Sequence, residues 1–145
     1  MKIVAQRVSA ADVSVDGEKI GSIGKGILIF VGIKNTDAVA EAEWLADKVK
    51  RLRIFEDENG KMSLSASDLN YEYLVISQFT LYGDCRKGTR PSFVEAAAPQ
   101  DAEKLYEYFV QLMKKDEANV QTGRFGADMK IAAYNDGPVT IILEK

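Results

Sequence analysis

Two short segments carry the residue types that could do chemistry. One is Ser77-Gln78-Phe79-Thr80-Leu81, which follows the apolar run Leu74-Val75-Ile76. It offers hydroxyls, a carboxamide and backbone N–H groups where a strand edge could face a ligand. The other is Asn135-Asp136-Gly137-Pro138-Val139-Thr140, near the C-terminus. Thr80 could act as a nucleophile, but a hydroxyl needs an activating base. The nearest acid in sequence is Asp84, and the 145 residues contain no histidine. Ser77 to Leu81 therefore reads either as a strand ending in polar residues or as a reactive edge. Asn135 to Thr140 reads first as a hairpin turn, because Asn, Asp, Gly and Pro are the residues turns prefer.

The missing histidine removes Ser-His-Asp and Cys-His sites and the usual imidazole base. With one cysteine, Cys85, it leaves only carboxylates for a catalytic zinc. Any catalysis must come from backbone groups, hydroxyls, carboxylates, lysine, an oxygen-held metal or the substrate itself. A net charge of −3 argues against a general nucleic-acid binder, yet leaves room for a local basic patch. No apolar run approaches the ~20 residues of a membrane span, and Met1 to Arg7 lacks a signal-peptide core. The lone cysteine fits a reducing cytoplasm. The length predicts one domain, residues 1–145.

The elements that must position these residues alternate strands with two helices. Ile3, Val4 and Val8, then Val13 and Val15, predict two extended runs, with a turn at Asp16-Gly17. Ile27 to Ile33 is a continuous apolar run with β-branched residues, a strand buried on both faces. Asn35-Thr36-Asp37 offers helix N-caps. The helix from Ala38 to Leu52 places Trp44, Leu45, Val49 and Leu52 on one face. Arg53-Ile54-Phe55 resumes a strand, and Asp57-Glu58-Asn59-Gly60 is a polar turn. A second helix starts at Pro99, with Leu105, Tyr108, Phe109, Leu112 and Met113 as its apolar face. Met129 to Tyr134 and Val139 to Leu143 predict a final hairpin. The pattern is α+β, a mostly antiparallel, partly barrel-like sheet carrying two main helices.

The two segments together resemble the signature motifs of the D-aminoacyl-tRNA deacylases (the D-tyrosyl-tRNA(Tyr) deacylase family), which remove D-amino acids from tRNA. The resemblance runs from Met1 to Lys145. It implies hydrolysis of the ester at the tRNA 3′ end, without cofactor or metal, assisted by the neighbouring RNA 2′-OH. It implies that backbone N–H groups within Ser77, Gln78, Phe79 and Thr80 contribute more than side chains. It also implies a homodimer, in which a cis Gly137-Pro138 bond aims its carbonyls into the partner's pocket. Two such carbonyls beside the substrate Cα exclude an L side chain and admit a D one; glycine also passes. Arg7, otherwise a surface charge, would hold that segment through its planar fork. Arg86, Lys87 and Arg90 read either as a solvated run or as contacts to acceptor-end phosphates. Phe79 and Met129 are candidate walls for the terminal adenine, although Phe79 also suits a core.

Two rival functions remain. A relative with a relaxed pocket would act on L-alanyl-tRNA; the intact motifs and Arg7 favour D-specificity. A non-catalytic nucleic-acid binder on the same fold would be expected to carry a basic tail, and Glu144-Lys145 follows directly on the last expected strand. Three weaker signals are set aside. Gly21 to Gly26 lacks the P-loop spacing and reads as a hairpin turn into the buried strand. Glu56-Asp57-Glu58 reads as a solvated turn rather than a metal site. Cys85 has no histidine partner for nucleophilic work.

Overall fold

A computed structural model describes residues 1–115 and 118–145. The first strand, β1 (Lys2–Val15), is one continuous element rather than the two runs expected. Small residues at Ala10 and Ala11 bridge the gap between the valine clusters, and the buried alternation resumes at Ala11, Val13 and Val15. Asp16 and Gly17 both have positive φ, 53° and 81°, the two-residue turn that suits strand twist. It leads into β2 (Glu18–Ile23), which pairs with the second half of β1.

The chain then bends at Gly24-Lys25 into β3 (Gly26–Gly32), which pairs antiparallel with the first half of β1. No β2–β3 hairpin forms, because β1 supplies the hydrogen-bonding edge for both strands. The helix α1 (Val39–Lys50) follows, then β4 (Arg53–Glu56), β5 (Met62–Ser65) and β6 (Glu72–Ser77). Strands β4 and β5 form a small separate sheet, and β6 lies parallel to β3. Beyond the helix α2 (Pro99–Lys114), β7 (Val120–Thr122) adds parallel to β6, and β8 (Met129–Glu144) runs antiparallel along β1. The main sheet is therefore mixed and mostly antiparallel. It curls until β2 meets β7: a Cβ on Gly21 would stand 3.1 Å from the Thr122 carbonyl oxygen. The expected α+β, partly barrel-like architecture is what forms.

β3 and β6 bury both faces, as their apolar runs require. Ile27, Ile29, Val31, Tyr73 and Val75 face the helices, with Leu45, Val49, Phe109 and Met113. Leu28, Leu74 and Ile76 face a smaller core inside the curl, with Val8, Ala11, Val13 and Ile23.

Three helix expectations shift. Asp37 does not cap α1; its carboxylate accepts from the Lys34 N–H at 2.6 Å and from the Met1 ammonium. Ala38 takes the cap position, and Glu41 accepts from its N–H at 2.9 Å. Trp44 is 41% exposed, because Ala42, Leu45, Ala46 and Val49 set the buried phase; the Lys48 and Lys145 ammonium groups lie over its ring. In α2 the buried face is Ala102, Tyr106, Phe109, Val110 and Met113. Leu105, Tyr108 and Leu112 pack at its margin. Tyr106 can go inward because its hydroxyl donates to the Val75 carbonyl at 2.8 Å.

The expected final hairpin is absent. Met129 to Glu144 is one strand, because both halves pair in the same direction with the long β1. The register jumps from Gln6↔Thr140 to Val8↔Asn135, so Asp136 to Val139 are extruded as a loop opposite Arg7.

Candidate active site

The carboxyl ends of the parallel strands β3 and β6 build the first half of the site, where ligands commonly settle in open sheets. The Gln78 N–H donates to the Val31 carbonyl at 2.7 Å, carrying the β3–β6 ladder one residue past Ser77. The chain then tightens into a single 3₁₀ turn, Phe79–Tyr82. Leu81 donates to the Gln78 carbonyl at 3.3 Å and Gly83 to the Thr80 carbonyl at 2.9 Å. The leading amides of such a turn have no intrahelical acceptor. Those of Phe79 and Thr80 meet none among the described residues. The Thr80 hydroxyl accepts from Gln78 Nε2 at 2.6 Å, and no carboxylate or amine is bonded to it. Nothing in this geometry activates Thr80 as a nucleophile; the two amides are the groups left without an acceptor among the described residues.

Ser77, Gln78 and Phe79, but not Thr80, line a cavity of about 710 Å³ together with Met129, Ile131, Phe93 and Phe125. Phe79 is 57% exposed, so it is no core residue, and it meets Phe93 edge-on at 5.1 Å between centroids. Met129 stands in the same wall because Gly123 makes room for it; a Cβ there would overlap the Met129 thioether. The start of α2 completes the wall with Ala96, Ala97, Ala98 and Ala102, whose small side chains keep the cavity wide. The Asp128 carboxylate at the edge binds Lys130 at 3.0 Å. Sequence reasoning missed Phe93, Phe125 and the alanines. For Phe93 and Phe125 the only signal is an apolar residue in a polar loop, which does not say what it faces.

Arg86, Lys87 and Arg90 lie outside that lining, on a loop closed by the Asp84–Ser92 backbone pair. Arg86 grips Asp84 with two bonds of 2.9 and 2.8 Å, and the guanidinium holds that carboxyl down at about 2. Lys87 and Arg90 are exposed and make no ion pair among the described residues. Asp57 accepts from Asn59, Lys61 and Ser63, a closed turn. Cys85 is exposed. Among the described residues, no group of three or more metal-ligating side chains is found, and no helix is long and apolar enough to cross a membrane.

The second half centres on Arg7. This residue is 7% exposed, so it is not a surface charge. Its Nε donates to the Asp136 carbonyl at 3.0 Å and its Nη1 to the Ile54 carbonyl at 2.7 Å. The planar fork thus ties the extruded loop of β8 to β4. The Gly137–Pro138 peptide bond is cis, and Gly137 has φ of +121°. A Cβ on Gly137 would stand 2.9 Å from Arg7 Nη2, so glycine is needed for both backbone shape and space.

Within one chain the two segments do not line a common cavity. None of Arg7, Gly137 and Pro138 lines the large cavity. Arg7 and Asp136 instead border a separate hollow of about 190 Å³, beside Lys25, Phe55, Glu56 and Tyr71. β8 pairs with β1 along one side only, and its exposed residues include Tyr134 (69%) and Ile142 (66%).

Residues 4–144 match the sequence profile of the D-Tyr-tRNA(Tyr) deacylase family. A D-aminoacyl-tRNA deacylase from Thermotoga petrophila is 56% identical, over 99% of this chain and 97% of the relative. The protein of the same description from Clostridium botulinum is 54% identical, with the same coverage. Among solved structures, a c-Myc DNA unwinding element binding protein superposes with a TM-score of 0.94 at 44% identity, covering 100% of this chain and 99% of that one. A probable eukaryotic D-amino acid tRNA deacylase gives a TM-score of 0.86 at 15% identity, covering 98% and 97%, a likeness of fold alone.

Proposed function

We propose, from the premise that this chain belongs to the D-Tyr-tRNA(Tyr) deacylase family, that it hydrolyses the ester of D-aminoacyl-tRNA by an RNA-assisted route that rejects L-amino acids. The observation that carries this reading is the pair of unpartnered amides at Phe79 and Thr80, in a turn whose first residue, Phe79, walls the cavity with Met129. An aminoacyl ester is already activated. A site that fixes it and offers N–H groups to the developing oxyanion needs no nucleophilic side chain. The neighbouring ribose 2′-OH positions or activates the water, so neither imidazole nor metal is required. The terminal adenine stacks between Phe79 and Met129. Lys87 and Arg90, free of ion pairs among the described residues, meet acceptor-end phosphates, while Arg86 first has to leave Asp84.

Chirality is sorted by exclusion. The Gly137-Pro138 segment, anchored by Arg7, reaches the ester bound in a second copy of the chain and occupies the space an L side chain would need. The lack of a common cavity for the two segments within one chain supports that homodimer, as does the unpaired edge of β8. The enzyme works in the cytoplasm, where aminoacyl-tRNA is used. The test is hydrolysis of D-tyrosyl-tRNA and L-tyrosyl-tRNA side by side. The expected outcome is loss of the D ester with the L ester intact. Exclusion has a further consequence: glycyl-tRNA, with hydrogen on both sides of Cα, is cleaved too. Glycyl-tRNA that survives while the D ester is lost rules out this geometric account.

A second reading rests on the structural relative named for a DNA unwinding element. On it, the same surface binds nucleic acid without turnover. Tight binding of single-stranded DNA, with neither tyrosyl ester hydrolysed, would favour it.

A further inference from the structure

We infer that Gly32, at the end of β3, is a positioning residue for the amides of Phe79 and Thr80. The inference rests on the function proposed above, which places those amides at the developing oxyanion. Gly32 sits directly beneath the 3₁₀ turn. A Cβ added to it would stand 2.9 Å from Leu81 Cβ and 3.1 Å from the Gln78 carbonyl oxygen. Neither neighbour is the loose end of a side chain. Both belong to or move with the backbone of the turn, so the methyl can be admitted only by lifting the turn away from β3.

Gly32 has no positive φ, so alanine there brings a demand for space and no strain of its own. The turn is held on both sides of that contact. Gln78 is fixed to Val31 by the 2.7 Å bond, and Tyr82 is buried at 6% exposure beneath the Lys2 ammonium. With both ends pinned, the displacement falls on the residues between them, which are those carrying the free amides. Oxyanion donors lose much of their effect over fractions of an ångström.

The variant Gly32→Ala tests this, with Val49→Ala in α1 as a control for general core destabilisation. Three quantities are read: the single-turnover rate on D-tyrosyl-tRNA at saturating protein, the affinity for a non-hydrolysable amide-linked D-tyrosyl-adenosine, and the ¹H–¹⁵N resonances of the Phe79 and Thr80 amides. Gly32→Ala is expected to lower the rate about tenfold to a hundredfold. Affinity should stay within about twofold, a margin far below the tenfold that 1.4 kcal/mol represents. Both amide resonances should shift, and none of this should occur in Val49→Ala. Unmoved resonances, or a rate lost only in proportion to affinity, overturn the inference. A wild-type chain that hydrolyses neither tyrosyl ester strikes the proposed function instead; the amide resonances still decide whether Gly32 positions the turn.

Discussion

Arg7→Ala is expected to lower the ratio of D- to L-tyrosyl-tRNA hydrolysis by about tenfold or more while the chain stays folded. The side chain donates to the Asp136 carbonyl and to the Ile54 carbonyl, and its Nε also stands 3.5 Å from the exposed Asp136 carboxylate. Losing the first frees the loop that carries Gly137 and Pro138. That loop is exposed, so water can replace the bond and the folding cost there is small. Losing the second leaves a buried carbonyl without its donor, a cost of about 1–3 kcal/mol. A domain with roughly 5–15 kcal/mol of stability tolerates that. Discrimination is more fragile, because excluding an L side chain requires a wall that cannot yield. A loss of about 1.4 kcal/mol in that wall is already tenfold in rate. The gain should appear as faster hydrolysis of the L ester. Arg7→Lys should fall between, since one ammonium cannot span two carbonyls as the planar fork does. Initial rates on both esters, with a thermal melt of each variant, check this; an unchanged ratio removes Arg7 from the account of chirality.

Much of the scaffold was legible because local chemistry dictated it. The Ile27 to Ile33 run favoured a strand covered on both faces over a short helix, and β3 (Gly26–Gly32) is that strand between the two cores. Asp16-Gly17 had to turn, and Pro99 opens α2. What stayed hidden depends on long-range partners. Asn135 to Pro138 has turn chemistry, yet the flanking strands continue along β1 instead of reversing. Only the length of β1 decides between these outcomes. Trp44 has a core residue's chemistry, but two alanines in α1 took the buried phase and left it at the edge. Arg7 looked like a charge on a strand; its burial follows from two carbonyls distant in sequence. The same holds for the site. Ser77 to Phe79 and Met129, singled out from motif and residue type, line the cavity, whereas Phe93 and Phe125 reach it only through loops whose course no local pattern encodes.

Mixing two damaged variants should restore chirality. If the proposed homodimer completes its sites across the interface, an Arg7→Ala chain keeps a sound 3₁₀ turn but presents a slack Gly137-Pro138 loop to its partner. A Gly32→Ala chain has the opposite defect. Pairing them puts the sound turn of the first opposite the sound loop of the second. The heterodimer then has one normal site and one doubly damaged site. Refolding Arg7→Ala together with excess Gly32→Ala should therefore suppress hydrolysis of L-tyrosyl-tRNA by about tenfold, the factor that 1.4 kcal/mol represents. Hydrolysis of the D ester by the Arg7→Ala chains should persist. If the loop acted within its own chain, each Arg7→Ala chain would carry its defect with it, and the L activity would survive mixing undiminished. The physical ground for the crossed arrangement is twofold. Arg7, Gly137 and Pro138 lie outside the cavity that Ser77, Gln78 and Phe79 line in their own chain. And β8 leaves an unpaired edge, with Tyr134 and Ile142 exposed along the strand, a combination that single chains avoid unless another surface covers it.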